Sequence, residues 1–275
     1  FVNNDNAQGE YYLPDVITIL KNQGEMVHVD VICDADEAQG INDRVQLAEA
    51  ESYLRKRILH RHMVQGVRIV DPDHTYIDAS VEIGPDTVIE PGVFLRGATS
   101  IGEGCHIGPN VDMTDTRVDD HVHIRYAVVQ QSQIHQQTRV GPYVYIRPET
   151  VLEEGTKVGC FIDLKKARIG KNTSISHLAY VGDADVGENV NVGCGAITVN
   201  YNGKAKHKTV IEDNTFIGCN TNLVAPVTVK KGAYIATGST ITEDVPEDTL
   251  AIARERQTNK IDYVPKLMSR LSKEE

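Results

Sequence analysis

Residues 77–108, Ile77-Asp-Ala-Ser-Val-Glu-Ile83-Gly-Pro-Asp-Thr-Val-Ile89-Glu-Pro-Gly-Val-Phe-Leu95-Arg-Gly-Ala-Thr-Ser-Ile101-Gly-Glu-Gly-Cys-His-Ile107-Gly108, return an aliphatic side chain every sixth position. The beat resumes at Val118 and Ile124 and runs through Ile134, Val140, Ile146, Leu152, Val158 and Leu164. After five-residue steps from Leu164 to Ile169 and from Val181 to Val186 it passes Val192 and Thr198, then Ile211, Ile217, Leu223, Val229, Ile235 and Ile241. Each unit reads as a short strand plus a turn with its aliphatic residue pointing inward, and three units close one triangular coil of about eighteen residues. A Gly often follows the beat, as at Gly84, Gly102, Gly108, Gly141, Gly159, Gly170, Gly182, Gly187, Gly193 and Gly218, which suits a tight or positive-φ corner. The predicted fold is mainly β, a parallel β-helix of hexapeptide repeats over residues 67–252.

Known hexapeptide coils wind left-handed, against the usual right-handed crossover rule, and that hand is expected here although periodicity alone does not show it. Composition agrees with a narrow scaffold: the chain of 275 residues is 40% hydrophobic but only 5% aromatic, with no Trp. Cys33, Cys105, Cys160, Cys194 and Cys219 are odd in number and form no Cys-x-x-Cys pair, so neither a disulfide framework nor a zinc knuckle is expected. A reducing, cytoplasmic setting fits them. No run of about eighteen apolar residues suggests membrane insertion. A formal net charge of −11 disfavours a nucleic-acid partner or an anionic membrane.

Outside the repeat the signals are shorter. The chain opens on Phe1 and not Met, which fits a processed or truncated chain. Residues 13–22 read as a helix with Pro14 in its first turn and Gly24 beyond its end, and 27–32 alternate like a strand. One helix and one strand cannot make a core, so residues 1–40 are expected to be a short remnant of an α/β domain. Residues 41–66 carry Leu47, Leu54 and Ile58 among charged residues, the pattern of a connecting amphipathic α-helix. Residues 253–275 form the tail, whose last ten residues are expected to fray.

Departures from the beat are where function is sought, because a solenoid accepts insertions as surface loops. Residues 165–187 set Lys165, Lys166, His177 and Tyr180 within one coil, and the thirteen-residue gap from Thr198 to Ile211 carries Lys204, Lys206 and Lys208. Arg254 and Arg256 make a third positive cluster. Each cluster alone fits a solvated face. Together they offer a neutral imidazole to collect a proton and cations to hold a phosphomonoester, Arg bidentately and Lys as a point charge. Transfer of an acetyl group from a thioester to an amine needs those parts and donors for the oxyanion, for which the N–H groups around Gly193 and Cys194 are candidates. No Ser or Cys shows an adjacent activating base in the sequence, so direct attack is expected and not an acyl-enzyme. Two other classes share the repeat. A metal hydratase of the γ-carbonic anhydrase type would draw on His106, His121, His123 and His135, which lack that family's spacing. A purely structural trimer would leave the lysine clusters unexplained.

The run Asn-Ala-Gln-Gly-Glu-Tyr-Tyr-Leu-Pro-Asp at 6–15, the helix, the coil, the stretch 165–183 and Asn-Val-Asn-Val-Gly-Cys-Gly-Ala-Ile-Thr-Val-Asn-Tyr at 189–201 resemble one family. It is that of bacterial bifunctional N-acetylglucosamine-1-phosphate uridyltransferases and glucosamine-1-phosphate N-acetyltransferases. The likeness spans essentially the whole chain and lacks most of the N-terminal uridyltransferase domain, so uridyl transfer is expected to be lost. The resemblance implies a homotrimer with sites between adjacent coils, acetyl-CoA as co-substrate and glucosamine 1-phosphate as acceptor, feeding UDP-N-acetylglucosamine and envelope synthesis. It assigns His177 as catalytic base and Arg147, Lys165, Tyr180, Asn191 and Lys206 to the sugar phosphate. Cys194, Asn200, Tyr201, Cys219, Thr237 and Arg254 fall at positions that meet acetyl-CoA. Asn6 matches a residue for Mg2+ and UDP-sugar whose Asp partner is missing here. Cys194, Cys219 and Thr237 stand where smaller residues are expected, Ala179 replaces a hydroxyl residue, and a thiol near a thioester site is a point of alkylation sensitivity.

Overall fold

The structure, a computed structural model, describes residues 2–28, 30, 31 and 40–272. It divides into two compact units, Phe1–Leu54 and Arg55–Glu275. In the first, α1 spans Asp15–Asn22 with Pro14 at its N-cap and buries nothing. Of the strand expected over 27–32, the described residues Val27, His28, Asp30 and Val31 are irregular, while Val29 and Ile32, like Cys33, lie outside the described residues. An alternating run becomes a strand only when a neighbour takes its hydrogen bonds, and the described part of this unit supplies none. Helix α2, Arg44–Val64, crosses the boundary. It is not the amphipathic rod expected: only Ile58, Leu59 and His62 are buried, and Leu54 is exposed.

The second unit is a parallel β-helix, the left-handed hexapeptide coil expected from the repeat. Among the described residues twenty-six strand segments form one ladder, each paired in parallel with the segment one coil away. Rungs such as Thr75↔Val93, Phe94↔Asp112 and Val144↔Ile162 are eighteen residues apart. The offset tightens to seventeen in Lys157↔Ser174, where the beat loses a residue, and widens to twenty-five in Asp185↔Val210, where the loop is inserted. Every residue of the beat is buried, between 0% and 8% exposed, so the core is one file of aliphatic side chains down the axis. Full burial of each such side chain contributes about 1.5–3 kcal/mol relative to exposure.

The corners follow a different rule from the one the glycines suggested. The left-handed positions are filled largely by Asn, Asp and Gly in one column (Asp86, Gly104, Asn172, Asn189, Asn214, Gly232, Asp248), where a short polar side chain tolerates positive φ. Most glycines after the beat residue serve close approach instead. A Cβ on Gly159 would lie 1.9 Å from the Ser176 carbonyl oxygen, and one on Gly218 would lie 2.6 Å from that of Ile235. The Thr after such a corner turns its hydroxyl to the next coil, as in Thr173 Oγ1 to the Gly187 carbonyl at 2.7 Å.

A second column of left-handed corners is unlike the first, because Tyr126, Tyr143, Phe161 and Leu178 occupy it in four successive coils. Bulky residues at positive φ cost of order 1–3 kcal/mol each. Their rings stack outside the coil, Tyr126 on Tyr143 at 5.5 Å and Tyr143 on Phe161 at 5.3 Å. Exposures of 57% for Tyr143 and 60% for Phe161 and Leu178 leave this apolar ridge unburied within one chain. Beyond the coil, Tyr263–Leu271 forms α3, so the fraying expected from residue 266 does not begin there. Residues 273–275 lie outside the described residues.

Candidate active site

Two strands of thirteen residues, β1 (Lys157–Ile169) and β2 (Ser174–Val186), carry the centre of the site. They stay paired around two corners because both coils shorten by one residue at the same place, and their register sets Cys160 beside His177, Asp163 beside Tyr180 and Lys165 beside Gly182. Positive-φ corners at Phe161 and Leu178, then at Lys166 and Asp183, bound the flat side between them. Functional side chains gather at its two edges.

At the later edge Arg147, Lys165, Tyr180, Asn200 and Lys206 come together. The Arg147 guanidinium forks onto Asp163, with Nε 2.8 Å from Oδ1 and Nη2 on Oδ2, and lies 4.8 Å over the Tyr145 ring. That hydrogen-bonded carboxylate holds Arg147 above the ordinary arginine range. Asn200 donates to the Tyr180 hydroxyl at 3.2 Å and to Asp183 Oδ2 at 2.6 Å. The inserted loop folds back as a small hairpin: Tyr201 bridges Lys206, and the His207 N–H donates to the Asn200 carbonyl at 2.8 Å. This returns Lys206 to hydrogen-bonding contact with Lys165, which pushes the Lys165 amine below the usual lysine range and the Lys206 amine above it. The opposite directions describe two amines sharing one hydrogen bond, with Asp183 favouring the charged form of each.

Two of the remaining lysines of these clusters are held in ion pairs, whereas Lys204 makes none among the described residues. Lys166 meets Glu149 at 3.0 Å, and Lys208 meets Asp185 at 2.5 Å. Lys165 and Lys206 have no such partner among the described residues. With no carboxylate in ion-pair contact among the described residues, these two adjacent lysines make a point of positive potential, tempered by Asp183, that an added dianion would relieve.

The earlier edge carries the imidazole. His177 is exposed, with Nδ1 3.3 Å from Cys160 Sγ. This corrects the expectation that no cysteine has an adjacent base: register across one coil, invisible in sequence, supplies it. His177, Cys194, Cys219 and Thr237 each precede a left-handed corner, at Leu178, Gly195, Asn220 and Gly238. Bonds from Gly195 N–H to Leu178 O, Asn220 N–H to Cys194 O and Gly238 N–H to Cys219 O stack these corners coil on coil. Arg254 tops the column, its Cδ 3.9 Å from where a Cβ on Gly238 would stand. Asn191 sits on the preceding side, in rungs with Ser174 and Phe216. Of the oxyanion candidates, the Gly193 N–H is spent on the Ile217 carbonyl at 2.8 Å, which leaves that of Cys194.

Some expected residues lie elsewhere. Asn200, assigned to acetyl-CoA by resemblance, has its amide engaged with Tyr180 and Asp183, and Tyr201 turns its hydroxyl to the Gly203 carbonyl at 2.7 Å. Asn6 belongs to the first unit, where its side chain closes a turn: Oδ1 accepts from Gln8 and Glu10 N–H, and Nδ2 donates to the Glu10 carbonyl at 2.6 Å. A single amide oxygen so engaged does not fit Mg2+, which prefers carboxylate and water oxygens. Among the described residues no group of three or more His, Cys, Asp or Glu is placed to hold a metal. His106 and His123 stack at 5.9 Å, while His135 is engaged with Asp119 at 2.7 Å. Asp163, Asp183 and Cys160 were not singled out from sequence. Cys160 lies directly opposite His177, and Asp163 lies opposite Tyr145, two residues before Arg147 along its strand, a signal readable only once the local register is known.

A model of the bacterial transferase hexapeptide (six repeats) matches residues 80–111 and 208–243. Bifunctional protein GlmU of Brevibacillus brevis is 54% identical over 266 residues, 97% of this chain and 58% of its own length. The GlmU protein of Acetivibrio thermocellus is 55% identical over 265 residues, 96% of this chain and 58% of its own. The chain therefore spans somewhat over half the length of these relatives. Among solved structures, a UDP-N-acetylglucosamine acyltransferase of Francisella novicida is 19% identical, covering 67% of this chain and 66% of its own at a TM-score of 0.43. No helix among the described residues is long and apolar enough to cross a membrane.

Proposed function

This chain belongs to the GlmU family, and from that premise we propose that it transfers acetyl from acetyl-CoA to the amine of glucosamine 1-phosphate. The product, N-acetylglucosamine 1-phosphate, would enter UDP-N-acetylglucosamine synthesis for the cell envelope, in the cytoplasm. The observation that carries the reading is the Lys165–Lys206 pair, two lysines in contact without a carboxylate ion pair among the described residues and with Arg147 beside them. A sugar 1-phosphate supplies the dianion that such a pair lacks. Mg2+ belongs to the uridyltransferase reaction of the family, and no step here involves it.

The acceptor amine, uncharged, attacks the thioester carbonyl, and the C–N bond forms as the oxygen becomes an oxyanion facing the Cys194 N–H. His177 takes the amine proton through Nε2, since Nδ1 faces Cys160. Collapse breaks the C–S bond, and the departing thiolate of CoA recovers a proton from the imidazolium. Asp163 takes Nε and Nη2 of Arg147 and so fixes the guanidinium, leaving Nη1 for the phosphate, and Asn200 orients Tyr180.

One chain cannot bring these parts to one sugar. His177 and Gly182, the rung partner of Lys165, are five residues apart along β2, about 16 Å of extended chain. The amine and the 1-phosphate of the acceptor sit on adjacent ring carbons. The site is therefore completed between copies of the chain, the base edge of one facing the phosphate edge of the next. The apolar ridge of Tyr143, Phe161 and Leu178, contiguous with a groove of about 1030 Å³ that reaches Tyr180, supports a homotrimer as the assembly.

The test is thiol release from acetyl-CoA with glucosamine 1-phosphate as acceptor; no release above background overturns the reading. The Cys160–His177 contact bears on the route. Direct attack predicts that Cys160→Ala retains kcat within about tenfold, because the thiol neither gains nor loses a bond to carbon. A loss as large as that of His177→Ala, with acetyl recovered on wild-type Cys160 by mass spectrometry, would demand an acetyl-enzyme instead.

A further inference from the structure

A second set of cations lies on the opposite side of the apolar ridge from the phosphate edge. His106, His123, Arg139 and Lys157 occupy one outward column in four successive coils, the rungs being His106↔His123, His123↔Arg139 and Arg139↔Lys157. Two residues further along each strand the column reads Gly108, Arg125, Gly141 and Gly159, a trough with a single side chain in it. The two columns enclose a groove of about 520 Å³, within the range of small-ligand sites.

Adjacent rungs are about 4.8 Å apart, and like charges in directly opposed positions destabilise a sheet. The protein does little to relieve this. Glu90 meets His106 Nε2 at 3.2 Å, but among the described residues Arg125, Arg139 and Lys157 make no ion pair. Burial, then His106, Arg139 and His121, lower His123 below the ordinary histidine range, as expected in a positive field. A chain of net charge −11 has carboxylates to spare. Three arginine and lysine side chains left unpaired in one groove therefore mark a place that a ligand would neutralise.

We propose that this groove binds a small polyphosphorylated anion, with Arg139 and Lys157 each taking a phosphoryl group on adjacent rungs and Arg125 reaching across the glycine trough. Arg supplies a fork and Lys a point charge, a combination suited to phosphoryl oxygens. The occupant is taken to be a diphosphate-like molecule because a single phosphate spans only one rung. The site is separate from the Lys165–Lys206 edge and does not rest on the acetyltransferase reading.

The experiment is calorimetric titration of inorganic diphosphate into the full chain carrying Lys165→Ala and Lys206→Ala, which removes the other phosphate-binding edge. Saturable binding at one diphosphate per chain is expected, weakened at least about tenfold by Arg139→Gln with Lys157→Gln and by added salt. The same two glutamine substitutions in the wild-type background are expected to leave the oligomer and acetyl transfer unchanged in the absence of diphosphate. Absent binding, or binding that the glutamine substitutions do not weaken, would overturn the proposal. Dissociation of the oligomer by those substitutions would also overturn it, since the groove would then be an interface between copies.

Discussion

On the proposed function, replacing His177 with alanine is expected to lower kcat for acetyl transfer by roughly 10²–10⁴-fold, the usual share of a general base, and to leave the oligomer intact. The side chain is exposed on the edge of a coil whose core is built from other residues, so its loss opens no cavity. Among the described residues its side-chain polar contact is with Cys160, itself only partly buried, so no buried donor is orphaned by the change. KM for glucosamine 1-phosphate is expected to change little, because the proposal places the phosphate at the other edge. The measurement is steady-state kinetics of CoA release, paired with light scattering for the oligomer. Near wild-type turnover in the variant would remove His177 from the mechanism.

Co-assembly of two inactive variants is expected to restore activity. His177→Ala lacks the base and Lys165→Ala lacks half of the lysine pair, yet each retains what the other has lost. If every site takes its base from one chain and its phosphate edge from the next, random mixing makes about a quarter of the sites wild type in both. About a third of wild-type activity per chain is therefore expected from co-expressed, separately tagged variants purified through both tags, since that selection removes homotrimers and each mixed trimer holds one intact site in three. Sites built within single chains would give none, since no chain in the mixture carries both groups. His177 and Gly182, five residue steps apart along β2, separate the two edges by more than an amino sugar can span. The lysines also differ in what they lose: Lys165→Ala acts mainly through KM for the phosphorylated acceptor, and His177→Ala mainly through kcat.

Parts of this protein were legible without coordinates, and the physical reason differs for each. The coil was, because a six-residue beat forces inward and outward positions at every unit, and each of its aliphatic residues is buried. The loop after Thr198 was, because a solenoid registers extra residues as a jump in rung offset, seen as Asp185↔Val210. The glycines left two readings open: a missing Cβ can mean positive φ or close approach, and composition does not separate the two. Gly159 is tight against Ser176, while Phe161 and Leu178 take the left-handed corners. The described residues of the strand expected over 27–32 and the amphipathic α2 depart from expectation for a related reason, since an alternating or heptad-like pattern states a need for a partner without supplying one.

By itself the sequence determined the scaffold and the kinds of side chain available for chemistry, because both depend on spacing along the chain. It also marked residues 165–187 as the place where repeat and chemistry overlap. Only the tertiary structure decided which groups meet. Lys165 and Lys206 are forty-one residues apart and share a hydrogen bond, whereas the neighbouring Lys166 is neutralised by Glu149. Cys160 faces His177 because two coils each give up one residue, and Gly193 spends its N–H on Ile217 because the ladder needs it. Such pairings depend on register between coils. A shift of one residue would exchange the inner and outer faces of a strand, so the contacts exist only once the coil has closed.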